Sequence, residues 1–257
     1  MREEKHLYGS VAPLRNVAAL VALIDRVQGR GHGLPGMATF YGPSGFGKST
    51  ACVYATTKFR AYTVQIKSTW TAKKFCEAVL IDLGLKPARI TADMVDQISE
   101  ELARTGRPLL IDEADHLIDR RMVELVRDIY ESSGAAIVLI GEERLPQKLQ
   151  TWERVHGRML DWVAAEPGDM HDLLHLAPVY CPGLEIEEDL RQELVRQSAG
   201  SIRRICVNLD RLAELARTLA VERVGRKEWG SRRFFSGEAP PARREFRVIP
   251  GARREIA

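Results

Sequence analysis

The 257-residue chain is 45% hydrophobic and 28% charged and carries a net charge of +3, the balance of a globular protein long enough for one full domain plus a smaller appendage. No apolar run approaches the roughly 20 residues of a membrane span, and the charged start Met1–His6 leads into no long apolar segment, so neither a membrane protein nor a secretory leader is expected. Between Arg226 and Ala257 nine Lys/Arg stand against four Asp/Glu, which leaves residues 1–225 at −2; the basic charge is concentrated in the tail, as for a polyanionic partner or a solvated end.

Pro13 to Gln28 places Leu14, Val17, Ala18, Val21, Ile24 and Val27 at helical spacing, which predicts an amphipathic helix ahead of the core. Gly29–Gly36 breaks it into a loop. Met37 to Tyr41 reads as a first strand and Thr50 to Phe59, without Gly or Pro, as a helix. Ala61–Lys67 is β-prone, a second strand. Helices are predicted over Thr71–Leu83, closed by Gly84, and Ala92–Arg104, closed by Gly106. Arg107–Asp112 is an apolar third strand of the kind covered on both faces. A helix from about Leu117 to Ser132 and a buried fourth strand over Ala135–Gly141 follow. Pro146–Val163 reads as helical, and His171–Pro178 as a short fifth strand. After Pro182-Gly183 the period is helical from Glu187 to about Val221, and from Gly225 onward Gly, Pro and Arg accumulate without periodicity. The expected division is a core with its N-terminal helix over 1–183, a helical lid over 184–224 and a basic flexible tail over 225–257.

The chemistry begins at Gly42-Pro43-Ser44-Gly45-Phe46-Gly47-Lys48-Ser49. This stretch matches the phosphate-loop pattern G-x-x-x-x-G-K-[ST] between a strand and a helix, the context that separates it from an ordinary Gly-rich turn. The glycines let successive N–H groups converge on phosphate oxygens, and the helix starting near Lys48 adds the positive end of its dipole. Lys48 would reach the β- and γ-phosphates and the Ser49 hydroxyl would ligate Mg²⁺. Leu109–Glu113 supplies the other half, an apolar strand ending in two acids. Asp112 would hold Mg²⁺ through water and Glu113 would orient and deprotonate the attacking water; downstream of a phosphate loop this outweighs the alternative, acids that merely end a buried strand. Cys52, Cys76, Cys181 and Cys206 lack metal-ligand spacing and read as reduced thiols. No paired-histidine ligand set is expected either.

Gly42–Thr50, Leu109–Glu113, Ala135–Glu142 and a helical C-terminal lid, in this order, resemble the AAA+ class of ATPases over roughly residues 13–222. The resemblance implies an α/β P-loop fold, a five-stranded parallel sheet with the Asp-Glu strand beside the nucleotide strand, flanked by helices and followed by a small all-helical lid. It implies ATP and Mg²⁺ as cofactors, with Gly42, Pro43, Ser44, Gly45, Phe46, Gly47, Lys48, Ser49 and Thr50 around the nucleotide. It also implies self-assembly into rings or helical filaments with ATP between neighbours. By position, sensor 1 falls on Glu142, where the class usually carries Asn, Thr or Ser; an acid there would be repelled by the γ-phosphate unless protonated or turned away, and Glu142 would then cap the next helix. The arginine finger offered to a neighbour's ATP falls on Arg158, with Arg154 as runner-up, and the lid arginine that points back at the γ-phosphate on Arg203. A solvated surface arginine is the alternative for each.

Within the class the chain is similar to the small ATPases that assist DNA transposases, the transposition protein B-like and IstB/TniB-type helpers of phages and bacteria. Glu142-Glu143-Arg144-Leu145 after the fourth strand resembles the Gly-x-x-x-Leu turn of that group. The similarity implies a cytoplasmic ATPase of a bacterial or phage-infected cell that assembles on double-stranded DNA without sequence preference and then recruits a transposase. Lys67, Thr69, Thr71, Lys73 and Lys74, in and after the loop that faces the pore in such assemblies, would contact phosphates, as would Arg120 and Arg121; the tail arginines Arg232, Arg233, Arg243 and Arg244 would be accessory. A helicase loader or other protein-remodelling ATPase is the alternative, with a secretion ATPase of the ExeA type behind it. Asp112–His116 spells D-E-A-D-H, but a helicase would need a second core and none is read.

Overall fold

The computed structural model describes residues 14–239. Its centre is a five-stranded sheet in which every pairing is parallel. The strands are β1 (Met37–Tyr41), β2 (Tyr62–Gln65), β3 (Leu109–Asp112), β4 (Ile137–Gly141) and β5 (Met159–Ala164), in spatial order β2-β3-β4-β1-β5. The Asp-Glu strand is therefore not beside the nucleotide strand: β4 lies between them, with Ile137 in register with both Met37 and Leu109. Strand order is set by which crossover helices cover which face, and no local pattern encodes it.

Side chains alternate between the two faces of the sheet with the period of a strand. In β4, Val138 and Ile140 enter one hydrophobic core and Ile137 and Leu139 the other. The first face is covered by α1 (Arg15–Gln28) and α2 (Lys48–Phe59). The second is covered by α3 (Ala72–Asp82), α4 (Thr91–Thr105), α5 (Asp115–Asp119) and α6 (Val123–Ser133), together with the short α7 (Leu145–Gln150) and α8 (Glu153–His156). Because both faces are covered, the strands read as continuous apolar runs. Each fully buried residue such as Phe40 or Ile140 contributes roughly 1.5–3 kcal/mol of transfer free energy.

Several elements differ from expectation. The apolar face of α1 is Val17, Leu20, Leu23, Ile24 and Val27, with Asn16 buried among them, while Ala18 is exposed. The helix expected over 117–132 is split at Arg120–Met122, where Arg121 takes a φ of 56°. The stretch 146–163 is two short helices followed by β5, which is half-buried except for the exposed Ala164 and carries no clean alternation. The segment expected as the fifth strand is instead α9 (Met170–Tyr180). Asp169 caps it, accepting from the Asp172 amide at 3.1 Å while Asp172 accepts from the Asp169 amide at 3.2 Å, a reciprocal cap that decides for helix over strand. On α9, His171 and His175 lie four residues apart with their Nε2 atoms 3.2 Å from each other, contrary to the expectation that no histidines are paired.

The C-terminal part packs α9 against α10 (Glu188–Ser198) and α11 (Ile202–Leu219), with a two-stranded parallel ribbon of β6 (Glu185–Ile186) and β7 (Arg223–Val224). Residues 225–239, where a basic flexible tail is expected, are mostly exposed but include one further short helix and two anchoring contacts. Trp229 at the end of α12 (Arg226–Trp229) is buried and stacks on Phe234 at 4.7 Å. The fully buried Asn208 brackets the Phe235 backbone, accepting from its amide at 2.7 Å and donating to its carbonyl at 3.2 Å. Cys52, Cys76 and Cys181 are buried and free, and burial pushes Cys52 up to about 12 and the other two up to about 11, which keeps them protonated. Among the described residues no helix is long and apolar enough to cross a membrane.

Candidate nucleotide site

The loop Gly42–Gly47 joins the C-terminal end of β1 to the first turn of α2. Gly45 holds a φ of 86°, and a Cβ there would lie 2.6 Å from the Ser201 hydroxyl, so both the turn and its close contact require glycine. Lys48 opens α2 and donates to the loop's own carbonyls, Gly42 at 2.6 Å and Pro43 at 2.8 Å. Burial lowers its pKa, and the carboxylates of Asp112, Glu113, Glu142 and Asp115 work against that shift. A cleft of about 520 Å³ opens here, lined by Lys48, Ser49, Asp112, Glu113, Glu142 and Arg203 among others, within the size range of small-molecule sites.

Ser49 Oγ donates to Asp112 Oδ2 at 3.0 Å, and Asp112 Oδ1 accepts from the Glu113 amide at 2.9 Å. The two residues expected to hold a magnesium ion are thus side by side although β4 separates their strands. A hydroxyl and a buried carboxylate form a hard oxygen pair of the kind Mg²⁺ takes alongside phosphate oxygens, so the residues fit the ion. Glu113 sits at a φ of 56°, a conformation costing a non-glycine residue on the order of 1 kcal/mol or more. Burial raises its pKa and Asp112 raises it further, while His116 and Lys48 pull it down. Glu142 lines the cleft too and its amide donates to Asp115 Oδ2 at 2.6 Å. It does not cap the following helix: α7 has no side-chain cap, and only the Glu142 carbonyl accepts, from Leu145.

The lid meets the loop directly. The Arg203 amide donates to the Gly45 carbonyl at 3.0 Å, and Ser201, which caps α11 by accepting from the Arg204 amide at 3.3 Å, packs against Gly45. The N-terminal turn of α11 is thereby seated on the phosphate loop with Arg203 in the cleft. A further contact escaped the sequence. Asn16 on α1 donates to the Phe46 and Glu166 carbonyls, both at 2.8 Å, and accepts from the Glu166 amide at 2.8 Å. Asn16 is 5% exposed, and it pins the apex of the phosphate loop to the segment leaving β5. The available signal was a polar residue at a buried helical position.

Arg158 lies elsewhere. Its carbonyl accepts from the Met37 amide, which puts it at the N-terminal end of β1, four strand steps or about 13 Å from the phosphate loop. Its side chain is 46% exposed and holds Glu131 at 2.7 Å. From there it cannot reach its own chain's cleft. Arg154 is exposed on α8.

Of the residues expected on DNA, Lys67, Thr69, Thr71, Lys73, Lys74, Arg120 and Arg121 are all exposed. A second cleft of about 750 Å³ brings Trp70 and Thr71 together with Arg120 and Arg121, but Asp96, Glu124 and Asp128 share it. Lys67, Thr69, Lys73 and Lys74 lie outside that cleft, Lys74 at 3.6 Å from Glu77. Thr71 is engaged as the cap of α3. Arg232 donates to the Glu228 and Trp229 carbonyls at 3.2 and 3.0 Å and so terminates α12. Arg243 and Arg244 lie outside the described residues.

Residues 32–149 match the family model described as AAA domain. Cdc6p from Pyrobaculum aerophilum is similar in structure, with a TM-score of 0.59 at 16% identity over 82% of this chain and 64% of that one. The Aeropyrum pernix Orc1 protein, solved in complex with DNA, gives 0.57 at 18% identity over 83% and 62%. The Thermotoga maritima RuvB Holliday junction branch migration motor gives 0.56 at 16% over 83% and 66%. The chain spans less than two thirds of the length of each. No curated protein was found to match it. The fold is that of the AAA+ P-loop ATPases.

Proposed function

We propose that the chain is an ATP-hydrolysing AAA+ protein that assembles on double-stranded DNA in its ATP state and recruits a transposase. One observation carries the coupling between nucleotide and DNA. The Ile66 amide donates to the Asp112 carbonyl at 3.0 Å, and β2 and β3 run in register up to Gln65 and Asp112. The loop 67–71 therefore leaves from the strand end that holds the magnesium-side carboxylate, and α5, leading to Arg120 and Arg121, leaves from Glu113. Both candidate DNA segments are one step from the cleft.

In this reading Lys48 exchanges its two loop carbonyls for the β- and γ-phosphates, a charge-assisted contact stronger than the ones it gives up. Ser49 and Asp112 hold Mg²⁺. The ion's contribution is to neutralise charge on the phosphates. Glu113 orients a water and takes its proton, a role favoured by a carboxylate of raised pKa. Arg203 reports the γ-phosphate to the lid. Arg158, out of reach of its own cleft, serves a neighbour's, so hydrolysis requires assembly. The DNA-associated neighbours support a nucleic-acid partner as a class of reading; the transposase rests on the sequence resemblance.

Fluorescence anisotropy on duplex DNA with ATP or ADP tests the reading. ATP-dependent binding should weaken with salt, log K falling by about 0.9 per neutralised phosphate for each log unit. Replacing Lys67, Lys73 and Lys74 by Ala should reduce both affinity and slope. Binding equal with ATP and ADP, or none with ATP, overturns it. The acidic side of the second cleft, Asp96, Glu124 and Asp128, supports the alternative of a protein-remodelling ATPase; stimulation of hydrolysis by a replicative helicase in the absence of DNA would favour that one.

A further inference from the structure

On α9, outside the lining of the nucleotide cleft, His171 and His175 stand four residues apart on one helical face, 171 exposed and 175 half-buried. Their Nε2 atoms are 3.2 Å apart. Two nitrogens bound to one zinc ion at 2.0–2.1 Å and a tetrahedral angle lie about 3.3 Å apart. Helical residues at i and i+4 are held as neighbours by the backbone, so the pair reaches this spacing with no rearrangement of the chain. We propose that His171 and His175 chelate a divalent transition-metal ion of the zinc type, independently of the magnesium nucleotide.

The surrounding groups define the ion. Asp169 and Asp172 have carboxylate oxygens within 4.8 Å of a His171 nitrogen, but neither is a free ligand. Asp172 accepts from the Arg15 and Asp169 amides, and Asp169 accepts from the Asp172 amide with the Arg15 guanidinium 3.5 Å away. The coordination is thus two imidazoles completed by water, with the two carboxylates as outer negative charge. Against a cation stand Arg15 and the positive end of the α9 dipole. A hard ion held mainly by charge, such as Mg²⁺ or Ca²⁺, gains little from imidazole and would be opposed here; Zn²⁺, Ni²⁺ and Cu²⁺ bind imidazole strongly enough to tolerate it. The bound ion would tie the first turns of α9, the helix that enters the lid directly after the segment pinned by Asn16.

Calorimetric titration of the full chain with Zn²⁺, in excess Mg²⁺ and without nucleotide, tests this. One equivalent is expected to bind, and His171→Ala and His175→Ala should each weaken binding by at least about tenfold. Asp169→Asn, which keeps the helix cap, should weaken it less. Saturating Zn²⁺ should raise the thermal midpoint of the parent by roughly 5 °C and leave the His175→Ala midpoint unmoved. No zinc binding by the parent, or unchanged binding by both alanine variants, overturns the proposal; the 3.2 Å contact would then be a plain histidine–histidine hydrogen bond. ATP and DNA binding play no part in these readouts, so the outcome is independent of the proposed ATPase function.

Discussion

The two ends of the central sheet handle charge in opposite ways. At the N-terminal ends several charges are matched within the chain: Arg158 with Glu131, Arg26 with Asp161, and Arg30 on the Val27 and Gly134 carbonyls. At the C-terminal ends Asp112, Glu113 and Glu142 converge on the single lysine Lys48. Its ammonium is spent on two loop carbonyls, and Glu113 is held in a strained left-handed conformation. One end is complete as it stands. The other has the donors for a polyanion and the oxygens for a cation, and both must come from outside the chain.

The contrast can be broken at its quiet end first. Arg158→Ala should leave nucleotide affinity in the same chain unchanged and reduce hydrolysis by assembled protein by about 10³-fold. Steady-state ATPase assays across protein concentration would show it; full activity would mean that the N-terminal end has no partner. At the busy end, Glu113→Gln should lower hydrolysis by about 10²- to 10³-fold while ATP and DNA binding persist, so that assemblies accumulate. Turnover at the parent rate would put the base elsewhere. Lys48→Ala should weaken ATP binding by about 10²-fold in titrations with a fluorescent analogue, and retained affinity would remove the cleft from consideration.

The busy end was legible in the sequence because its chemistry is carried by backbone. A loop that points its amides at phosphate needs glycines at fixed spacing, and a strand that ends at the phosphates can end in acids, so both halves of the site could be read from short strings. The order of the strands could not, since nothing in Leu109–Asp112 records that β4 will lie beside it. β5 was lost because Met159–Val163 is half-buried throughout, Ala164 is exposed, and the run lacks the alternation that marks a strand. α9 was misread because its apolar residues form a short run with Pro178 near the end, while its true signal was the reciprocal cap between Asp169 and Asp172. Asn16 left only one signal, a polar residue at a buried helical position, because its three partners are backbone atoms of segments 30 and 150 residues away.

That clamp gives the next test. Asn16→Ala leaves the Phe46 carbonyl and both Glu166 backbone groups without their partner, a loss of about 2 kcal/mol and roughly 6 °C in the thermal midpoint. ATP affinity should fall with it, because the loop loses its tether to α1. A variant that loses stability but binds ATP as tightly as the parent would reduce Asn16 to a packing residue.

The smallest expected effect concerns Glu113. Burial and the neighbouring Asp112 raise its pKa in the folded protein, so its ionised form is disfavoured there relative to the unfolded chain. The sign follows from linkage: the protonated group favours the fold below the ordinary carboxylate range, and that contribution is lost as pH rises through the raised folded value. At neutral pH the carboxylate therefore opposes folding, and Glu113→Gln, which removes the charge and keeps the shape, should raise the nucleotide-free midpoint. The shift should be smaller than that of Asn16→Ala and opposite in sign, and it should fade as the pH is lowered into the carboxylate range. Thermal melts of the two proteins across that pH interval measure it. A constant difference would assign the gain to something other than the buried charge, and a lower midpoint for the glutamine variant would mean that Lys48 and His116 already satisfy Glu113 within the chain, so that this end of the sheet is as complete as the other.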